Sequence, residues 1–287
     1  MSKTSFKTFG LGFAAVTLLA SAPAFAAEGG GHHIDRQTWA FGGLTGQYDK
    51  AQLQRGFQIY KDVCSACHGM KRVYFRNLVQ PGGPEFPEAS VKELAAQWPN
   101  QITDGPNDAG EMFDRPAKLS DPMLGPYKND KAARAAQGGA LPPDLSNIAK
   151  ARNVHNSAFW PKHVWLMAKD IATGYQEGGA DYLYALLTGY QEPPAGVKLA
   201  DGMNYNVAFP GHQIAMAPPL SKEGFQTYAD GSGSLEKNAA DVAAYLTWAS
   251  DPSLNSRKST GWVVLLYLLV TTVLLWLGKK RIWANAH

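Results

Sequence analysis

Both cysteines of this 287-residue chain lie within one five-residue string, Cys64-Ser-Ala-Cys67-His68. Two cysteines placed at random would take this spacing, with histidine next, roughly twice in ten thousand trials. A disulfide-rich scaffold is excluded, because there are no cysteines outside the string. The string must therefore serve one local site.

C-x-x-C-H is the pattern of covalent haem attachment. Thiols one helical turn apart can add to the two vinyl groups of a single haem. The imidazole of His68 then meets the iron from the same side. The sequence therefore predicts one covalently bound haem c on Cys64, Cys67 and His68.

Two other kinds of site use similar cysteine strings. An exported thiol–disulfide oxidoreductase also carries C-x-x-C, but it places the motif at the start of a helix in a βαβ context. Here the motif closes a predicted helix. A zinc site would need a fourth ligand and usually a second cysteine pair.

Electron transfer requires a second axial ligand, for which Met and His are the candidates. Met216 lies in Ala-Met-Ala-Pro-Pro-Leu, where two prolines stiffen the loop, and Met203 ranks next. Met167 lies in an amphipathic stretch and is expected in the core. The remaining candidates are Met112, Met123 and, for a bis-histidine site, His155, His163 and His212.

Both ends of the chain predict targeting segments. Residues 1–26 have basic residues, an apolar stretch and Ala24-Phe25-Ala26, which is typical of a cleaved signal peptide. Residues 259–278 carry no charge and, as a helix, span about 30 Å, the thickness of a bilayer core. Lys279, Lys280 and Arg281 follow, so the tail 279–287 is expected in the cytoplasm and the domain 27–258 outside. The mean hydropathy of −0.25 excludes a polytopic membrane protein.

Net charge changes when it is counted by compartment. The whole chain is +3, but residues 27–256 hold 20 Lys and Arg against 24 Asp and Glu, a net −4. A mildly acidic exported domain favours a basic partner through electrostatic steering. Nucleic acid is excluded as a partner, because there is no stripe of Lys and Arg.

Hydrophobic spacing predicts short helices joined by long Pro/Gly-rich loops, with few strands. Loops of that length need something to pack on, and a large cofactor would serve. The fold class expected is mainly α, a c-type cytochrome domain with loops wrapped on haem, plus one C-terminal transmembrane helix. The predicted helices begin after an Asp49 N-cap, at a Ser90–Glu93 capping box, at Asp130, within 158–172, at Asp181 and at Asn238–Asp241, the last ending before Pro252.

Several longer strings extend beyond the haem motif. The chain resembles the cytochrome c1 family, the haem subunits of cytochrome bc1 complexes, over most of residues 36–287. The strings that carry the resemblance are Arg55-Gly-Phe-Gln-Ile-Tyr, Asp104-Gly-Pro-Asn, Gly110-Glu-Met-Phe, Lys118-Leu-Ser-Asp, Gly139-Ala-Leu-Pro-Pro-Asp-Leu, Leu187-Thr-Gly-Tyr-Gln-Glu-Pro-Pro and Ala215-Met216-Ala-Pro-Pro.

The resemblance implies roles for particular residues. Cys64 and Cys67 would carry the thioethers, with His68 and Met216 as the axial ligands of the iron. Arg134 would lie near a haem propionate, which needs a hydrogen-bonded cation if buried. Haem-packing residues would be Leu141, Pro142 and Pro143.

The resemblance also implies a function. The chain would be the electron-transfer subunit of a quinol–cytochrome c reductase, with no substrate chemistry of its own. It would accept electrons from a Rieske iron–sulfur protein and donate them to a soluble c-type cytochrome, beside cytochrome b in a dimeric complex. The location would be the bacterial inner membrane, single-pass, with the haem domain in the periplasm.

Acidic residues are candidates for attracting the acceptor cytochrome, namely Asp104, Asp108, Glu111, Asp114 and Glu192. One departure from shorter family members is an insertion over 153–180, for which the sequence suggests no role. The main alternative function is an anchored monohaem cytochrome of another oxidase or reductase.

Overall fold

Helical segments dominate this computed structural model, which describes residues 34–152, 178–220 and 233–285, with 161, 164–165 and 167–169. The chain divides into two compact units, 1–30 and 31–287, and every described residue lies in the second. The predicted signal peptide 1–26, most of the predicted helix 158–172 and most of residues 153–177 of the predicted insertion lie outside the described residues.

The helices and strands are short except at the C-terminus. The helices are α1 Lys50–Asp62, α2 Glu88–Ala96, α3 Asp130–Ala136, α4 Ile148–Ala151, α5 Gly179–Thr188, α6 Leu235–Ser250 and α7 Leu254–Ile282. The strands are β1 Met70–Tyr74, β2 Ile102–Asp104, β3 Phe113–Arg115, β4 Pro122–Met123, β5 Asn204–Tyr205 and β6 Gln213–Ile214. The antiparallel pairs are β1 with β4, β2 with β3 and β5 with β6. The expectation of a mainly α fold with few strands is confirmed.

The core forms where α6 packs on α1, α4 and α5. Gly56 of α1 lies at the crossing: a Cβ there would come within 2.1 Å of the Asp241 carbonyl oxygen. Beside it, the Arg55 guanidinium donates to both carboxylate oxygens of the buried Asp241, over 2.7 and 3.0 Å. The missing side chain lets the two helices approach, and the bidentate pair fixes their register.

Aromatic rings fill the space next to this crossing. Tyr245 of α6 has its ring centroid 5.6 Å from that of Phe57 and 5.7 Å from that of Tyr60, both on α1. Trp248 continues the cluster along α6, and Trp98 stacks on Tyr60. These rings attach the C-terminal half of α1, which leads into the cysteine string, to the core.

Two predicted helix starts are wrong. The Ser90–Glu93 capping box does not form, because α2 already begins at Glu88 after Pro87, placing Ser90 inside the first turn. Helix α6 begins at Leu235, where the Ser234 hydroxyl accepts from the Lys237 amide. Asn238 is instead buried inside the helix, and its side-chain amide has no hydrogen-bond partner among the described residues.

The other described boundaries agree with the sequence. The Asp49 carboxylate caps α1 by accepting from the Gln52 amide over 2.6 Å. Helix α3 stops at Gly138 and Gly139, which both take positive φ. Helix α5 starts at Gly179, two residues before the expected Asp181, and α6 ends before Pro252.

One core assignment is wrong. Met167 is 54% exposed, and Val164 and Trp165 beside it are exposed as well. These residues lie outside the core cluster around α1 and α6, so the amphipathic pattern does not bury them there.

Helix α7 contains the predicted span 259–278. Within the described residues it is the one helix long and apolar enough to cross a membrane, with a mean hydropathy of 2.1 and none of that window buried. Its first turn is anchored in the domain, because Leu254 is buried and Asp251 accepts from both Lys150 and Arg257.

We expect Gly56→Ala to destabilise the protein by about 3 kcal/mol, because overpacking a tight site costs that much. The added methyl group would meet the Asp241 carbonyl and the Tyr245 side chain. The measurement is the thermal unfolding midpoint of the full-length protein in detergent, which should fall by roughly 6 °C or more.

The matched control is Gly261→Ala, another helical glycine, which has no atom within 4 Å of its Cβ position. Equal midpoints for the two variants would contradict the close crossing at Gly56.

Candidate haem site

One residue, Val63, separates the end of α1 from the cysteine string. Cys64–Ala66 form a short 3-10 helix, and the amides of Cys67 and His68 both donate to the Cys64 carbonyl, over 3.1 and 2.8 Å. Both cysteines are half-buried and neither is in a disulfide. The turn therefore presents both thiols and the imidazole from one compact piece of backbone.

His68 has a fixed ring. Its Nδ1 lies 2.8 Å from the Pro143 carbonyl oxygen, which can only accept, so Nδ1 carries the proton. Nε2 is then the nitrogen with a free lone pair, and a backbone partner of this kind orients histidine ligands in metal sites. Burial lowers the pKa of His68, which favours the neutral form that a metal requires.

The Cys64 thiol differs from the nucleophile of a thiol–disulfide oxidoreductase. Burial, and then the neighbouring Cys67, raise the pKa of the Cys64 thiol to about 12. A thiol–disulfide oxidoreductase needs a lowered thiol pKa, because the thiolate is its nucleophile. This environment opposes the oxidoreductase alternative.

A zinc site finds no support either. In the part of the chain that the structure describes, no group of three or more His, Cys, Asp or Glu side chains is arranged to hold a metal ion. Two thiols with one oriented imidazole on the same turn fit a haem c, which needs two thioether links and one proximal nitrogen.

The segment 143–146 lies along the residues that follow His68. The amide of Leu145 donates to the Gly69 carbonyl over 2.9 Å. The carboxylate of Asp144 accepts from the Lys71 amide over 2.8 Å, and the Ser146 hydroxyl from the Arg72 amide over 3.0 Å. Sequence reasoning missed Asp144 and Ser146; their signal is the Asp-x-Ser pattern, in which Asp144 accepts from the Ser146 amide.

A second segment closes on the same backbone. A Cβ on Gly125 would lie 2.7 Å from the Gly69 nitrogen, and one on Gly69 would lie 2.5 Å from the Gly125 nitrogen. The two main chains therefore meet without side chains between them. His68 is thus followed by a backbone that two segments hold in place.

The residues predicted to contact the haem differ in exposure and in their hydrogen-bond partners. Arg134, on the last turn of α3, is exposed and donates to the Gly139 carbonyl over 2.9 Å. Gln137, one turn later, donates to the Cys67 sulfur over 3.6 Å and to the Tyr127 hydroxyl. Leu141 is 37% exposed, Pro142 is half-buried, and Pro143 acts through its carbonyl.

Met216 lies in the loop after β6, apart in sequence from the cysteine string. Its carbonyl accepts from the Tyr190 hydroxyl over 3.1 Å and from the side-chain Nδ2 of Asn204 over 3.4 Å. Burial raises the pKa of Tyr190, so this hydroxyl remains a donor at neutral pH. No hydrogen bond joins Met216 to Cys64–His68 among the described residues, and what the structure fixes is the loop backbone.

The competing ligands are placed differently. Met123 is fully buried in β4, whereas Met112 and Met203 are exposed. His212 stacks on Tyr205, and its Nδ1 lies 3.2 Å from the Asn206 carbonyl, so it belongs to the β5–β6 hairpin. His155 and His163 lie outside the described residues.

The candidate acidic residues cluster on the β2–β3 hairpin, apart from Glu192. Asp104 is ion-paired to Arg115, whose guanidinium lowers its pKa, and Asp114 accepts from Thr103. Asp108 and Glu111 are exposed in the turn between these strands. Of these four carboxylates on the hairpin, Asp108 and Glu111 therefore carry the negative charge that neighbouring side chains offset least.

This chain is similar to known proteins over most of its length. The profile of the Cytochrome C1 family matches residues 39–286. Cytochrome c1 of Blastochloris viridis is 46% identical over 265 residues, covering 92% of this chain and 90% of that protein. Cytochrome c1 of Rhodospirillum rubrum is 42% identical and covers 95% of both chains.

Similarity extends to eukaryotes and to a fused protein. The mitochondrial cytochrome c1 haem protein of Schizosaccharomyces pombe is 41% identical over 88% of this chain and 73% of its own length. A protein of Bradyrhizobium diazoefficiens named cytochrome b/c1 is 43% identical over 87% of this chain but only 35% of its own length. With a profile match over most of its length and relatives this similar, the chain belongs to the cytochrome c1 family.

Proposed function

We propose that this chain is the electron-transfer subunit of a quinol–cytochrome c reductase of the bc1 type. Family membership supports the assignment, and the observation that carries it is the 2.8 Å contact between His68 Nδ1 and the Pro143 carbonyl. That contact leaves Nε2 as the ligating nitrogen beside the two thiols of a C-x-x-C-H string.

Cys64 and Cys67 would hold one haem c through thioether bonds, with His68 Nε2 and the Met216 sulfur as the ligands of its iron. When bound, haem c supplies a one-electron Fe(III)/Fe(II) couple, and a methionine ligand raises its potential. The chain's own part is to keep both ligand side chains in place, so that few atoms of the protein have to move when the iron gains or loses an electron. Tyr190 and Asn204 do this for the Met216 loop.

Arg134 would direct its guanidinium toward a haem propionate, since it lies one turn before Gln137, which contacts Cys67. Its hydrogen bond to Gly139 restrains the side chain at the end of α3. Leu141 and Pro142 would form part of the apolar wall, and the exposed face of Leu141 suits that role.

Membership of the cytochrome c1 family supports a proposed direction of electron flow. Electrons would come from a Rieske iron–sulfur protein and leave to a soluble c-type cytochrome. Cytochrome b would lie beside the anchor in a dimeric complex, and the name of the fused cytochrome b/c1 relative supports that neighbour. Helix α7 would place the haem domain in the periplasm and 279–287 in the cytoplasm.

The β2–β3 hairpin is a candidate docking surface for the acceptor. Met112 in its turn and Phe113 at the start of β3 are exposed, as are Asp108 and Glu111 in the turn. An apolar patch with an acidic rim suits a basic cytochrome, because charges at the rim speed the encounter while apolar contact holds it.

We expect Met216→Leu to abolish the near-infrared sulfur-to-iron charge-transfer band of the oxidised protein. The leucine has no sulfur lone pair, so the iron would lose its thioether ligand and the potential would fall. The measurement is the near-infrared spectrum, together with a pyridine haemochrome that checks the covalent haem.

Met203→Leu is the matched control, since Met203 is the next candidate by sequence and is exposed. The band should persist in that variant. A band lost in Met203→Leu and kept in Met216→Leu would reverse the ligand assignment.

We expect Tyr190→Phe to weaken methionine ligation without removing it. Losing the hydrogen bond to the Met216 carbonyl should cost about 1 kcal/mol. The near-infrared band should then disappear at a lower temperature than in the parent protein. Tyr205→Phe is the control, because Tyr205 stacks on His212 and has no described contact with Met216. Identical melting of the band in Tyr190→Phe and parent would show that this hydroxyl does not secure the ligand.

Isolation of the native complex separates the proposal from its main alternative. Affinity purification through a C-terminal tag should recover cytochrome b and a Rieske protein in amounts equal to this chain. The purified material should also have quinol–cytochrome c reductase activity. Recovery with the subunits of a different oxidase or reductase would support the anchored monohaem alternative instead.

A further inference from the structure

Before α1, the chain folds into a tight turn, residues 41–46, which we call the Leu44 turn. The Gly42 amide donates to the Trp39 carbonyl over 2.9 Å, and the Gln47 amide to the Ala40 carbonyl over 3.1 Å. A Cβ on Gly46 would lie 2.0 Å from the Gly42 carbonyl oxygen, so only glycine fits there. Leu44, at the tip, is 51% exposed.

The Leu44 turn is bound to the start of the membrane helix. The Lys258 ammonium donates to the carbonyls of Phe41, Gly43 and Gly46, over 2.7, 2.6 and 3.1 Å. The three N–H donors of an ammonium group can each meet one of these backbone acceptors. The Tyr48 amide adds a bond of 3.0 Å to the Asn255 side chain of α7.

These contacts fix the height of the turn relative to a bilayer. Lys258 directly precedes the uncharged residues 259–278, whose helical length of about 30 Å matches the hydrocarbon core. Lys258 therefore lies at the edge of the hydrocarbon, and the carbonyls that it binds lie at the level of the lipid headgroups. No charged residue occurs between Arg36 and Asp49, so little charge opposes contact with lipid.

We propose that the Leu44 turn is a second membrane contact, in which the Leu44 side chain enters the interfacial layer of the phospholipid bilayer. Its continuity with the anchor helix favours lipid over another partner. The domain would then rest on the membrane at two points, with Lys258 setting its height. This inference goes beyond electron transfer and does not depend on it.

Two basic residues, Arg257 and Lys258, lie at the end of α7 that is proposed to face outside, and contacts with the domain explain their presence there. Arg257 is paired with Asp251, and Lys258 is held by three carbonyls. Both charges serve the junction between domain and helix. They therefore do not conflict with an outside location, although the distribution of basic residues normally marks the cytoplasmic side.

The test uses the full-length holoprotein in phosphatidylcholine vesicles. A nitroxide on Leu44→Cys reports its surroundings through relaxation by oxygen, which concentrates in lipid, and by a water-soluble nickel chelate. The control is Val197→Cys, an exposed apolar residue in the loop after α5. We expect the ratio of oxygen to nickel accessibility to be several-fold higher at 44 than at 197.

Two results would overturn the proposal. Equal, water-like ratios at 44 and 197 would place the turn in solvent. Shielding from both reagents, in vesicles or in the assembled complex, would mean that protein covers the turn. Neither result concerns electron transfer, so the membrane contact can be disproved without affecting the proposed function.

A second variant tests the role of Lys258. Lys258→Met keeps the aliphatic stem and removes the three donated hydrogen bonds. In the Leu44→Cys background we expect the accessibility ratio to fall toward that of position 197, while Lys280→Met at the other end of α7 leaves it unchanged. An unchanged ratio in Lys258→Met would show that the ammonium does not hold the turn at the membrane.

Discussion

The close crossing of α1 and α6 is the constraint on which the rest of the structure depends. Gly56 admits the backbone of α6, and the bidentate pair between Arg55 and the buried Asp241 carboxylate fixes the register of the two helices. Because the carboxylate is removed from water, the Arg55 cation helps to offset the cost of burying its charge. The end of α1 leads directly into Cys64–His68, and the Tyr60 hydroxyl donates to the His68 carbonyl. The crossing of α1 and α6 therefore determines where the haem motif lies.

Around this crossing, irregular segments are ordered mainly by single polar side chains that satisfy backbone groups. Asp144 and Ser146 hold the backbone after His68, and buried Asn206 accepts from two successive loop amides at 208 and 209. Lys258 performs the same task for the turn beside the membrane helix. Because backbone groups removed from water must be paired, a domain with few strands needs such side chains to order its loops.

The sequence predicted those features that depend on neighbours in the chain. The Asp49 cap, the stop of α3 at two glycines, the uncharged helix 259–278 and the haem string itself are local patterns, and they were predictable. One error is local: α2 already begins after Pro87, so Ser90 lies within the first turn and cannot cap the helix. The other error depends on a distant contact, because Asp241 pairs across the core with Arg55 and does not start a helix. The Pro143 carbonyl as partner of His68 could not be predicted, because 75 residues separate them.

The central claim is that one haem is covalently attached to the thiols at the end of α1. Mass spectrometry of the purified mature protein, intact and as the peptide containing Cys64–His68, tests it most directly. We expect a single added porphyrin on that peptide and no thiol available to an alkylating reagent. Two alkylated cysteines on a polypeptide without added mass would contradict it.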